Sequence, residues 1–214
     1  MSRIIDTGLE ELSVMLCKLG NSSFDVVSLA LRSCLTGADN HDRITDLSEA
    51  ITSNAEKAEN KAFELIARFQ PVASDLRVIK SYMKISNDFA RYGRYALDIS
   101  YISKRMGSLH KCEDWIRSYI GNMSEKVLEM LQISINALRN HDVELARSIS
   151  KIEKEVDESY FGFIDKLVGV ASATNKCTIA GVLVVRYLER IADHAVYICE
   201  SLAYVVSGEK VSLG

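Results

Sequence analysis

Apolar residues recur at intervals of three and four along almost the whole chain, the period of helices with one buried face. Leu12, Met15 and Leu16, then Val26, Val27, Leu29 and Ala30, place one long helix over 9–35, loosened at Gly20-Asn21-Ser22-Ser23. The following Gly37 suits a left-handed C-cap. A second helix, rich in Ala, Glu and Lys, covers about 42–69 and ends before Pro71, which disfavours helical geometry at Gln70. A third, capped by Ser74 or Asp75, runs to about 105 with Leu76, Ile79, Met83, Phe89, Tyr92 and Ala96 as its buried stripe. After a connector at 107–110 the pattern recurs. Helices are expected over 114–140, over 143–170 with Asp142 as N-cap, and over 176–207 up to Gly208, with a loop at 172–175. The expected fold is all-α, two tandem three-helix bundles made of six long helices, with halves 1–107 and 108–214. One proline and eleven glycines in 214 residues leave little punctuation for a sheet protein.

The halves are related in sequence. Aligning Phe89 on Leu188 sets the tract 87–99 against 186–198, with Arg91 on Arg190, Ala96 on Ala195 and Ile99 on Ile198. Glu189 and Asp193 of the second copy correspond to Ala90 and Arg94 of the first. The chain therefore reads as an internal duplication in which one half keeps a pair of acids that the other has lost.

Those acids carry the candidate chemistry. In the last helix Leu188, Ile191, Ala195, Cys199 and Leu202 form an apolar stripe, and Glu189 and Asp193 stack one turn apart on its flank. The preceding helix repeats the spacing with Glu153 and Asp157. If the two flanks face one groove, four carboxylates converge. Like charges at this spacing repel unless a cation neutralises them, and carboxylate oxygens suit Mg, Mn, Fe or Ca and accept Zn. The simpler reading pairs Glu189 with Arg186, Asp193 with Arg190, and Glu153 with Lys151 or Lys154, on a solvated face. In the first half, the helix facing Ala90 and Arg94 offers residues near Ser48 and Thr52. His194 lies too far round the helix from Asp193 to join it as a ligand and is expected to pack or hydrogen-bond. Asp75 and Arg77 are expected to pair across the bundle. Arg94 is expected to reach Asp98 or Asp75, and Trp115 with Tyr119 to form a contact between the halves. Tyr82, Tyr92, Tyr95 and Tyr101 point to partial exposure or a dimer face.

Charge and composition narrow the function. A formal net charge of −3 gives no basic excess for a phosphate backbone, so nucleic acid is not an expected partner. The most apolar run, 179–188, is short and broken by Arg186, so membrane contact is expected to be peripheral, through partners. No secretory signal is evident at the start. The five cysteines show no CxxC spacing, which suggests neither a thiolate zinc site nor a disulfide framework, but small buried side chains in a reducing cytoplasm.

Two tracts resemble the PhoU family of phosphate-uptake regulators. Leu65 through Arg77 is similar to the family's tract ending in Gln-Pro-Val-Ala-x-Asp-Leu-Arg, and Arg186 through Ala195 to its Leu-Glu-Arg-Ile-Gly-Asp-His-Ala tract, with Ala192 in place of the Gly. The tracts at 87–96 and 152–157 are weaker matches. The resemblance implies two PhoU-like three-helix repeats and metal held at Glu/Asp-x-x-x-Asp motifs, here Glu153 with Asp157 and Glu189 with Asp193. Because Ala90 and Arg94 cannot ligate a metal where the first repeat would carry its acids, at most one such cluster is expected, in the second repeat, holding divalent or ferric ions of unspecified identity. It also implies a cytoplasmic, non-catalytic regulator of phosphate uptake and signalling. Such a protein would contact a phosphate transporter, for example the ATPase subunit of an ABC importer, or an associated sensor. A homodimer is the usual oligomer. No phosphate-cradling glycine loop or nucleophile motif accompanies these residues. The competing readings are an accessory protein of a non-ABC phosphate permease, a ferritin-like diiron enzyme and a plain structural adaptor. The enzyme would need Glu-x-x-His, a spacing none of the four histidines has.

Overall fold

The computed structural model describes residues 3–169 and 175–214. The described residues form helices and no strands: α1 (Ile4–Thr36), α2 (His41–Phe69), α3 (Ala73–Met106), α4 (Asp114–Asn140), α5 (Val143–Arg147), α6 (Ile149–Val168) and α7 (Lys176–Ser207), with a 3₁₀ turn at Leu109–Lys111. The local signals explain most boundaries. α1 stops at Gly37 (φ 83°) and α7 at Gly208 (φ 78°), both left-handed, where a Cβ would be strained. Gln70 and His141 end α2 and α4 in the same conformation. The carboxylate of Asp142 accepts the backbone N–H of Leu145 at 2.9 Å and caps α5.

Four expectations about local structure are corrected. First, α1 is not loosened at Gly20. That glycine lets α1 approach α3, since a Cβ there would stand 2.8 Å from the ring tip of Phe89, and Ser23 Oγ donates to the carbonyls of Leu19 and Phe89. Second, the fifth expected helix is broken at Ser148, whose hydroxyl donates to the Leu145 carbonyl at 2.7 Å and competes with the helical ladder. Third, α3 begins at Ala73 behind Val72, with no side-chain cap from Ser74 or Asp75. Fourth, Leu76 is exposed, while Ile79, Phe89, Tyr92 and Ala96 are fully buried. The loop expected at 172–175 lies outside the described residues except for Asn175, which caps α7 through Thr178.

α3 and α7 form the spine of the molecule. Arg77 meets Tyr204, Lys84 meets Tyr197, Asp88 meets His194 and Tyr95 meets Tyr187, so the two helices run antiparallel. The alignment of Phe89 on Leu188 also places Asp88 on Tyr187 and Tyr95 on His194. The Asp88–His194 and Tyr95–Tyr187 contacts are therefore equivalent under an internal two-fold. Tyr82, Tyr92 and Tyr95 are buried and Tyr101 alone is exposed, which corrects the expectation of an exposed tyrosine face. α1 and α2 complete the packing on α3, and α4 and α6 that on α7. One continuous apolar core runs through both halves. α1 has the length and apolarity of a membrane span, but Leu12, Leu16, Leu19, Val26 and Val27 on it belong to this core.

Cys112 and Cys177 form a disulfide, contrary to the expectation of unpaired cysteines. It joins the end of the 3₁₀ turn to the first turn of α7 across 65 residues of sequence, with the Cα atoms 5.5 Å apart. The pairing is created by the packing of α4 beside α7, which no local spacing reports. Cys17, Cys34 and Cys199 are free.

Candidate metal centre

The acid pairs sit on facing flanks of α6 and α7. Helical periodicity places Leu188, Ile191, Ala195 and Cys199 in the core, each fully buried, and leaves Glu189 and Asp193 half-buried at its edge. Val156 does the same for α6, anchoring Glu153 and Asp157 at the opposite wall. The four carboxylates lie within mutual electrostatic range. Burial pushes the Glu153 carboxyl above the usual range, and the charges of Asp157 and Asp193 push it further. Burial, then Asp193 and Asp157, do the same to Glu189, against the opposing pull of Arg186. Asp193 is raised by burial and by Asp157.

Cations do little to neutralise this groove. Arg186 donates to Glu189 Oε2 at 2.6 Å, as the solvated-face reading required for that pair. Neither Glu153 nor Asp193 makes an ion pair among the described residues. No three of these acids are drawn to a common ligating distance among the described residues. The donor chemistry fits a hard or borderline cation: four carboxylates, partly desolvated, mutually repelling, and anchored on two packed helices. The structure places the acids within reach of one another's charges, short of a shared ligating distance among the described residues.

A returning tail closes one side of the groove, a feature no helical periodicity announces. After Gly208 the chain folds back along α7. Leu213 is buried, its N–H donates to Glu200 Oε1 at 3.0 Å, and its carbonyl accepts the Ser150 hydroxyl. Gly214 then lies against Glu153, whose Oε1 is 3.4 Å from where a Cβ would be.

His194 faces away from the acids, as expected of a hydrogen-bonding histidine. Its Nδ1 lies 2.8 Å from Asp88 Oδ1 and its Nε2 3.3 Å from the Tyr95 hydroxyl. This contact ties the acid-bearing helix to α3. Asp88 Oδ2 is buried without a hydrogen-bond partner. Sequence reasoning did not single out Asp88; its place on the buried side of α3, two residues before the lost acid position, was the only signal.

The equivalent groove of the first half is lined by Thr52, Ala55, Glu56, Glu59, Asn87 and Ala90, with Lys84 at its edge. Thr52 is where the alignment put it, but Ser48 is buried, and Glu56 and Glu59 were missed. The first half therefore keeps acids on α2 and has none on α3 to face them. Asp75 pairs with Arg3 at 2.9 Å, and not with Arg77 or Arg94. Arg77 instead lies over the Tyr204 ring. Burial holds the Asp98 carboxyl above its usual range, against the opposing pull of Tyr187 and of the Arg94 charge, and Arg94 makes no ion pair with it among the described residues. Trp115 and Tyr119 stack on Phe163 within the second half and do not bridge the halves.

Comparison with known proteins agrees with this architecture. A family model described as the PhoU domain matches twice, over residues 16–102 and 120–202. The chain is 31% identical to a phosphate-specific transport system accessory protein PhoU homolog of Clostridium acetobutylicum, over 99% of this chain and 98% of that protein. Two solved structures superpose closely, each at 25% identity. The phosphate transport system regulatory protein PhoU from Streptococcus pneumoniae has a TM-score of 0.86, covering 97% of this chain and 99% of the other. PhoU from Pseudomonas aeruginosa has a TM-score of 0.85, covering 95% and 99%.

Proposed function

Because the chain belongs to the PhoU family, we propose that it regulates phosphate uptake through protein contact with a phosphate transporter or its sensor, and that it holds metal in the α6–α7 groove. The regulatory part rests on the relatives, which are named as accessory or regulatory proteins of phosphate transport. The finer part is supported by one observation: the charges of Asp157, Glu189, Asp193 and Glu153 act on one another across the flanks of α6 and α7, with Arg186 as the one cation paired there among the described residues. Glu189 and Asp193 would hold one side of a divalent or ferric ion, and Glu153 and Asp157 the other. The bound cation would supply positive charge that cancels the repulsion and fixes α6 against α7.

The partner in this reading is the ATPase subunit of an importer or an associated sensor, met in the cytoplasm by a homodimer. No catalytic step is assigned to the acids, since the groove offers carboxylates without a nucleophile beside them. Metal analysis of the purified chain beside a Glu189→Ala/Asp193→Ala variant tests the site. Near-stoichiometric metal in the parent and its loss in the variant are expected; equal trace metal in both would remove the metal from the reading. Co-purification with the organism's own phosphate-transport components tests the partner separately, and absence of both ATPase and sensor from the captured fraction would count against it.

A further inference from the structure

A second charged cleft lies on the other side of the returning tail. It is lined by Lys80, Ser81 and Lys84 of α3, Glu200, Ser201 and Tyr204 of α7, and Lys210 and Val211 of the tail. Lys80, Ser81 and Lys84 fall at i, i+1 and i+4, so the two lysines stand one turn apart on the same flank of α3. Lys210 is carried onto the opposite wall by the same fold-back that buries Leu213. The cleft volume of about 310 Å³ suits a small molecule.

The charges here are unbalanced in the opposite sense to the chain as a whole, whose formal net charge is −3. Three lysines face one carboxylate. Lys61 pairs with Glu11 and Lys126 with Glu155, while the other lysines make no ion pair among the described residues; what sets this set apart is that three of them line one cleft. Lys80, Lys84 and Lys210 make no ion pair among the described residues; Lys84, which also borders the groove of Glu56 and Glu59, has its Nζ 5.4 Å from the Tyr197 ring centre. One turn before the cleft, Arg77 adds a fourth cation over Tyr204, with its Nε buried and lacking a hydrogen-bond partner. Glu200 is held by the Leu213 N–H through one oxygen only, and the Ser201 hydroxyl donates to Tyr197 and retains its acceptor lone pairs.

We propose that this cleft binds a phosphate anion, free or carried on a small molecule, through Lys80, Lys84 and Lys210, with Glu200 and Ser201 accepting from a protonated phosphate oxygen. The chemistry separates phosphate from sulfate. Near neutral pH phosphate carries a proton to donate and sulfate does not, so a carboxylate set among lysines favours the former and repels the latter. The lysines supply charge-assisted donors, the stronger class of hydrogen bond. The same tail closes this cleft on one side and the acid groove on the other, so an anion bound at Lys210 sits on a segment that also touches Glu153.

Equilibrium dialysis of the full chain against labelled inorganic phosphate, with glycerol phosphate and sulfate as competitors at fixed ionic strength, tests the assignment. One saturable site per chain is expected, with a dissociation constant at or below about 1 mM and sulfate at least about tenfold weaker. Tighter binding of glycerol phosphate would assign the anion to a carried phosphate, and tighter binding of inorganic phosphate to the free ion. Lys80→Gln/Lys84→Gln should weaken binding about tenfold or more, and adding Lys210→Gln should abolish it. Each variant is first shown to keep the parent's helical circular dichroism and melting temperature. A second variant, Glu200→Gln, should narrow the preference for phosphate over sulfate. Lack of saturable binding of both phosphates, equal binding of sulfate, or binding unchanged in the triple lysine variant would overturn the proposal.

Discussion

Glu153 makes no ion pair among the described residues, and its carboxyl is held above the usual range by burial and by Asp157 and Asp193. Its charge is therefore a burden on the fold unless a cation neutralises the groove. Glu153→Gln should raise the stability of metal-free protein by about 0.3–0.5 kcal/mol, the size of one like-charge repulsion at helical spacing. The same change should reduce or erase the rise in melting temperature on adding Mn or Mg. On the proposed metal site, the parent's rise should correspond to about 2.7 kcal/mol at a metal concentration one hundred times the dissociation constant. Thermal melts with chelator and with metal measure both effects, and the opposite signs separate a metal ligand from an ordinary surface acid. Gly20 shows the same scale of argument in the core. A methyl group there would stand 2.8 Å from Phe89 and 3.1 Å from Ile135, and Phe89 is fully buried with nowhere to move. Gly20→Ala should cost about 1–2 kcal/mol, the overpacking penalty less the gain in helix propensity, read as a lower urea midpoint.

The elements differ in how far local sequence specifies them. α4 and α7 begin and end at the expected residues because the signals are short-range: Gly208 as a left-handed stop, Asn175 and Thr178 as a reciprocal cap. α7 nonetheless has a second restraint that is not local, the bridge from Cys177 to Cys112. Closing a 65-residue separation stabilises by at most about 4 kcal/mol in the chain-entropy account, through the unfolded state. The Cys112→Ser/Cys177→Ser variant should unfold at a lower denaturant midpoint than the oxidised parent and match the parent measured under strong reductant. If oxidised parent and double variant unfold together, the bridge contributes nothing in solution. The tail is an element of another kind. Leu213 has no helical neighbours to predict its burial, and it is buried only because α6 and α7 present Ser150 and Glu200 to its backbone.

At the scale of the molecule, the two halves share one core through α3 and α7. The spine places Phe89 and Tyr92 of the first half in the same buried set as Leu188 and Ile191 of the second. Unfolding should therefore be a single transition, although the PhoU domain model matches the chain in two separate stretches, 16–102 and 120–202. Trp115, the sole tryptophan, reports on the second half through its stacking on Phe163. Phe89→Ala, made in the first half, should destabilise by about 3–5 kcal/mol. It should lower the tryptophan-fluorescence midpoint and the circular-dichroism midpoint together. A tryptophan midpoint that stays at the parent value while the helical signal shifts would show that the halves unfold independently.

Most helix spans, the caps at Gly37, Asp142 and Gly208, and the flank positions of Glu153, Asp157, Glu189 and Asp193 were legible in the residues, because helix geometry is a local rule with a fixed period; the start of α3 and the break at Ser148 were not. So was the loss of acids at Ala90 and Arg94, since an internal repeat compares itself with itself. The disulfide, the burial of Tyr82, Tyr92 and Tyr95, the Asp88–His194 link, the returning tail and the lysine-lined cleft were decided by the tertiary structure. Each depends on which helix flank meets which across many tens of residues of chain. That choice is made by the packing of apolar surfaces over the whole core, and no single stretch of sequence carries it.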